Sequence, residues 1–169
     1  MYFKVDDIKI YKIDENYKQS FSNIKNSIEY EIAFEYMTKE FNLEVAKDIC
    51  LFLYKYKFAT KNQIIKIISN KYNVDNDFNP YDLVKFGFLK DFILVNGFVD
   101  EIYERNEENT IYTIGPNGVN LLIEHFNIQI PRWEFRHISR SAKKVIKSIQ
   151  VVDIYINIME SFKNFNIIN

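Results

Sequence analysis

Apolar residues recur every three or four positions along most of this chain, the pattern of helices with one buried face. The first 20 residues are an exception. Ile8 and Ile10 flank the polar Lys9, which reads as a short strand or an extended arm. From near Ser22, Ile24, Ile28, Ile32, Met37 and Phe41 predict a helix rich in acids. Asn42 is a good cap for the next one, with Glu44 in its first turn. Leu43, Ala46, Ile49, Leu53 and Tyr56 then share a face, so a helix is expected over 43–57. Thr60 with Gln63 three residues on has the form of a capping box, opening a helix that carries Ile64, Ile65, Ile67 and Ile68. Residues 73–79 form a polar loop, and Pro80 behind Asn79 suits a first helical position. Leu83, Val84, Phe86, Leu89 and Phe92 or Ile93 predict a third helix over 80–95 that stops at Asn96-Gly97.

Beyond residue 97 the period changes. Phe98–Tyr103 and Thr110–Ile114 have the β-branched and aromatic make-up of strands, and the polar turn 105–109 between them predicts a hairpin. Gly115-Pro116-Asn117-Gly118 breaks the chain, and 119–126 reads as a short helix. Ile130-Pro131 closes this unit. A long helix is expected over 137–164. Within it Ile138, Ala142, Val145, Ile149, Val152, Ile156 and Met159 follow a 4, 3, 4, 3, 4, 3 spacing, a heptad seam suited to pairing two copies.

The expected class is mainly α with a small β-hairpin. It divides into an N-terminal extension (1–42), a central domain (43–127) and a C-terminal dimerisation helix (132–169). Helix, helix, helix, strand, turn, strand, helix is the element order of a winged helix-turn-helix, and local residues resemble that family too. Phe58-Ala59-Thr60-Lys61-Asn62-Gln63-Ile64 looks like the start of its second helix. Val95-Asn96-Gly97-Phe98-Val99-Asp100-Glu101-Ile102 looks like the exit from its recognition helix into the wing. Tyr112 to Leu122 is similar to the "Y-x-L-T-x-x-G-x-x-L-L" element closing many winged helices, with Thr113 one place early and Gly115-Pro116 added. Trp133 to Phe162, through His137 and Val151–Ile156, resembles the helix after the winged helix in replication-relaxation-type proteins of plasmids and other mobile elements. The resemblance implies duplex DNA binding, by a transcriptional regulator or a plasmid or phage maintenance factor.

Composition bears on function mainly by exclusion. With 47% hydrophobic and 27% charged residues, the 169-residue chain is globular rather than disordered. Only 4 Gly and 3 Pro are present, too few for a barrel of many short strands. No apolar run is long enough to span a bilayer, and Met1-Tyr2-Phe3-Lys4 does not start a secretory signal. One Cys excludes an internal disulfide and suits a reducing cytoplasm. Cys50, His125 and His137 make neither a catalytic arrangement nor a metal set, so no enzyme, cofactor or small-molecule ligand is expected.

The net charge of −1 hides a partition. Residues 47–90 carry +4, 99–109 carry −4 and 132–147 carry +5. An acidic wing tip is repelled by phosphate, so DNA contact is expected elsewhere. One candidate set is Thr60, Lys61, Asn62, Asn79, Tyr81, Lys85 and Lys90 on the second and third helices. The other is Arg132, Arg136, Arg140, Lys143 and Lys144, where Arg forks would suit phosphate oxygens. The solvated-face alternative leaves a protein-interaction module without DNA binding. The favoured expectation is a homodimer on double-stranded DNA.

Overall fold

The structure, a computed structural model, describes residues 4–5, 8–9, 29–74, 78–95, 98–100, 110–130 and 142–168. It is mainly helical, with a small antiparallel sheet and a long C-terminal helix. The expected start of the first helix near Ser22, the polar turn 105–109 and the arginines of 132–140 lie outside the described residues.

Near the N-terminus, β1 (Lys4–Val5) and β2 (Ile8–Lys9) pair antiparallel, with Val5 opposite Ile8. Helix α1 (Tyr30–Glu40) buries Ala33 and Met37, while Ile32 points away and is about half exposed. Helix α2 (Leu43–Tyr56) starts as expected. The Asn42 side chain accepts hydrogen bonds from the amides of Glu44 (2.9 Å) and Val45 (3.2 Å). Val45, Ala46, Ile49, Cys50 and Leu53 form its buried face.

Strand β3 (Ala59–Thr60) runs directly into helix α3 (Lys61–Ser69). The capping box closes both ways: the Gln63 amide donates to Thr60 Oγ1 (3.2 Å) and the Thr60 amide to Gln63 Oε1 (3.0 Å).

The expected helix over 80–95 is not what forms. Helix α4 spans only Tyr81–Lys85, and β4 occupies Leu89–Val95. Between them Gly87 sits at φ +74°, a left-handed turn that ends the helix. Leu89, Asp91, Phe92 and Ile93 are all buried, because β4 is covered on both faces. A strand covered on both faces loses the alternation that marks a strand, and its apolar run then reads equally well as helix.

Pairing also differs from the expected hairpin. Strand β5 (Phe98–Asp100) lies against β4, with Val95 opposite Phe98. Strand β6 (Ile111–Ile114) is not paired with β5 among the described residues. It pairs with β4 on one side (Leu89 opposite Ile114) and β3 on the other (Thr60 opposite Ile111). The order across the sheet is β3-β6-β4-β5. Asn96-Gly97, where the helix stop is expected, lies outside the described residues.

Helix α5 begins at Pro116, inside the expected breaker cluster, and continues after Asn120 as a π-helical turn (Leu121–His125). Gly118 is needed there because its backbone lies against the Phe88 carbonyl.

The last helix, α6 (Ala142–Ile168), does not stand apart. One core joins α1 to α5 with one side of the sheet, through Ile49, Leu53, Ile64, Leu83, Phe88 and Ile114. A second core joins Phe58, Phe92 and Ile111 to Val145 and Ile149 of α6. The Ser148 hydroxyl donates to the Tyr56 carbonyl (2.6 Å), and Gln63 Nε2 donates to the Ile149 carbonyl (3.0 Å) and to Asp153 Oδ1 (2.6 Å).

This corrects the heptad expectation. Val145, Ile149, Val152 and Ile156 are buried within the chain, so that seam has no face left for a second copy. Met159 is half-buried, the Ala142 side chain is outside the described set, and Ile138 lies outside it altogether.

Candidate nucleic-acid interface

Several of the expected contact residues have structural duties. The Thr60 hydroxyl is occupied as the α3 cap. Asn79 Oδ1 accepts from the Tyr81 amide (3.1 Å), which makes it the cap of α4. Lys90 lies within β4 opposite Thr113, half-buried. On α4, Tyr81 is exposed, but Lys85 is paired with Asp82 at 2.8 Å and lies 5.9 Å from the Tyr81 ring centre. The Asp82 hydrogen bond and charge hold the Lys85 pKa above its ordinary value. Five helical residues, one of them acidic, leave little surface to insert in a groove.

A second region is more uniform in charge. The bonds from Ser148 to Tyr56 and from Gln63 to Ile149 set the first turns of α6 beside the junction of α2, β3 and α3. Lys143, Lys144 and Lys147 on α6 are exposed, with no ion-pair partner among the described residues. Lys57 and Lys61 belong to the same junction, with Asn62 exposed one residue on. Lys57 Nζ donates to the Tyr54 carbonyl (2.9 Å) and covers the Tyr54 ring at 4.9 Å. Lys57 follows Tyr56, whose carbonyl Ser148 of α6 bonds, so its backbone lies near the end of the basic stretch 132–147. Nothing in its spacing linked it to residues 90 positions later.

Asp48 holds the far end of α3. It accepts from Lys71 Nζ (2.8 Å) and from the Tyr72 hydroxyl (2.6 Å). Burial raises the Asp48 pKa, but the two hydrogen bonds and the Lys71 charge outweigh it and hold the carboxyl below its ordinary value. A lowered folded-state pKa stabilises the fold above the unfolded carboxylate pKa and loses that contribution as pH falls through the folded one. Asp48→Asn is therefore expected to cost about 1 kcal/mol at pH 7, a modest figure for a pair open to solvent. Urea titrations should show the gap from the parent shrinking as pH falls below about 4.

Chemistry elsewhere is sparse. Burial pushes the Cys50 thiol pKa far up, which leaves it un-ionised and inert. His125 rests on Phe34, ring centres 4.9 Å apart, and on Phe126. Among the described residues no cluster of His, Cys, Asp or Glu could hold a metal ion. None of their helices is long and apolar enough to cross a membrane. No family model, no curated protein and no solved structure matches this chain.

Proposed function

We propose that residues 43–126 are a winged helix-turn-helix and that the chain binds duplex DNA. The observation that carries this reading is topological. Helix α2 precedes β3, helices α3 and α4 lie between β3 and β4, and β6 returns between those two strands. Such a sheet backs a pair of helices, the arrangement of a helix-turn-helix, whose second helix meets the major groove. A place in transcription regulation or in plasmid or phage DNA maintenance follows from the family resemblance.

The mode differs from groove insertion by a helix over 80–95. Phosphate contact dominates, from Lys61 on α3 and from Lys143, Lys144 and Lys147 on α6, with Asn62 and Tyr81 at the base edges. Anisotropy of a labelled 30-base-pair duplex tests this. About four neutralised phosphates predict affinity falling on the order of a hundredfold between 50 and 200 mM salt. Reversing Lys143, Lys144 and Lys147 to Glu should weaken binding at least ~10-fold at 50 mM and flatten the salt slope. Lys85→Glu, which breaks a pair with Asp82, should cost less. A larger loss in Lys85→Glu would move the contact to α4, and no binding at 50 mM salt would refute the reading.

A further inference from the structure

Helix α6 is apolar on two faces. The buried one packs on the chain's own sheet. On the other side Val151, Ile154, Ile158 and Phe162 are 45%, 60%, 50% and 67% exposed. Their spacing of three, four and four residues makes one stripe of three turns, about 17 Å long. A helix apolar all round is normally covered all round. Here one cover is missing.

We infer that this stripe is a homodimer interface, in which α6 of two copies pack antiparallel about a two-fold axis near residue 156. Three features select a second copy in that orientation. The first is size: the two-fold sets Val151 against Phe162 of the other copy, small against large, and Ile154 against Ile158. The second is charge. Lys143, Lys144 and Lys147 all precede the stripe, so parallel pairing would stack three lysines on three, whereas antiparallel pairing carries the two groups to opposite ends. Along the stripe the rim is neutral, with Gln150, Asn157 and Ser161. Of the charged residues along it, Asp153 is taken by Gln63 and Lys163 by Asn70, and Glu160, two residues on from Ile158, falls on another side of the helix.

The third feature is area. Side chains of this size present on the order of 150–200 Å² when free. At the observed exposures, the four amount to roughly 400 Å² per copy. With the rim residues and Tyr155 the pair buries about 1,000–1,200 Å² in total, the low end of specific interfaces. The dimer should therefore be reversible, with micromolar dissociation. The inference does not depend on DNA binding.

Sedimentation equilibrium of the full chain from about 5 to 500 µM provides the test. The parent should pass from monomer to dimer over that range. Ile154→Asp and Ile158→Asp, both at exposed positions, should each weaken dimerisation at least ~10-fold with an unchanged circular dichroism melt. Orientation is read by disulfide trapping, for which the buried Cys50 leaves a clean background. A mixture of Val151→Cys and Phe162→Cys chains should cross-link, and Phe162→Cys alone should not. A parent that stays monomeric, a dimer indifferent to both Asp variants, or efficient Phe162→Cys self-linking would each overturn the inference. So would an Ile154→Asp monomer with a lowered melt, since the stripe would then be covered by its own chain.

Discussion

Ile149→Asp should unfold the chain. Ile149 is fully buried against Phe58, Phe92, Ile111 and Val145. Truncation to Ala at such a site costs about 2–5 kcal/mol through lost burial and the cavity left behind. A carboxylate adds the penalty of an uncompensated buried charge. That total rivals the whole stability of a domain this size, typically about 5–15 kcal/mol. Urea titration of Ile149→Ala should show a lower midpoint that does not depend on protein concentration. Had the residue served an intermolecular seam, the loss would shrink as the parent was diluted to monomer. The contrast with Ile154→Asp is sharp. The two positions are five residues apart on one helix, and only the first should affect folding.

Gly118→Ala carries the next largest effect. A Cβ there would sit 2.3 Å from the Phe88 carbonyl oxygen, 2.9 Å from Ile114 Cγ1 and 3.1 Å from Cys50 Sγ. The Phe88 oxygen cannot easily yield, because it accepts the Gly115 amide at 2.8 Å, which anchors α5 to the start of β4. Overpacking at a rigid site costs about 1–3 kcal/mol, and more where the backbone must move. The melting temperature should drop by roughly 10 °C, at about 2–4 °C per kcal/mol for a chain of this length. An unchanged melt would mean that α5 can slide away from the sheet.

How much of this was legible in the sequence depended on whether the signal was local. Asn42 and the Thr60–Gln63 box act within one helical turn, and both ends formed as read. The stretch 89–93 reads as helix in the sequence because both faces of β4 are buried there, which erases the period that tells strand from helix. Gly87, whose left-handed turn ends α4, is a lone glycine in an apolar run and admits two readings in the sequence. Along α6 the heptad spacing marked a buried face correctly and its partner wrongly. Spacing reports that a face is covered, and only the three-dimensional contacts tell what covers it. The bonds that set α6 beside α2 and α3, Ser148 to Tyr56 and Gln63 to Ile149, join segments far apart in sequence, which no local pattern links.

The central position of β6 sets the order in which this chain can fold. Strand β3 has no partner until residues 111–114 exist, some 50 positions later, and of the pairings inside the sheet only β4 with β5 is local. During synthesis the helices emerge first and must wait for the strand that joins them. Phe58, Phe92 and Ile111 then stay uncovered for a further 30 residues, until Val145 and Ile149 arrive. Closing such long loops before any contact rewards them slows folding. The most aggregation-prone moment is therefore a ribosome paused between β6 and α6, with one core sealed and the other face of the sheet bare.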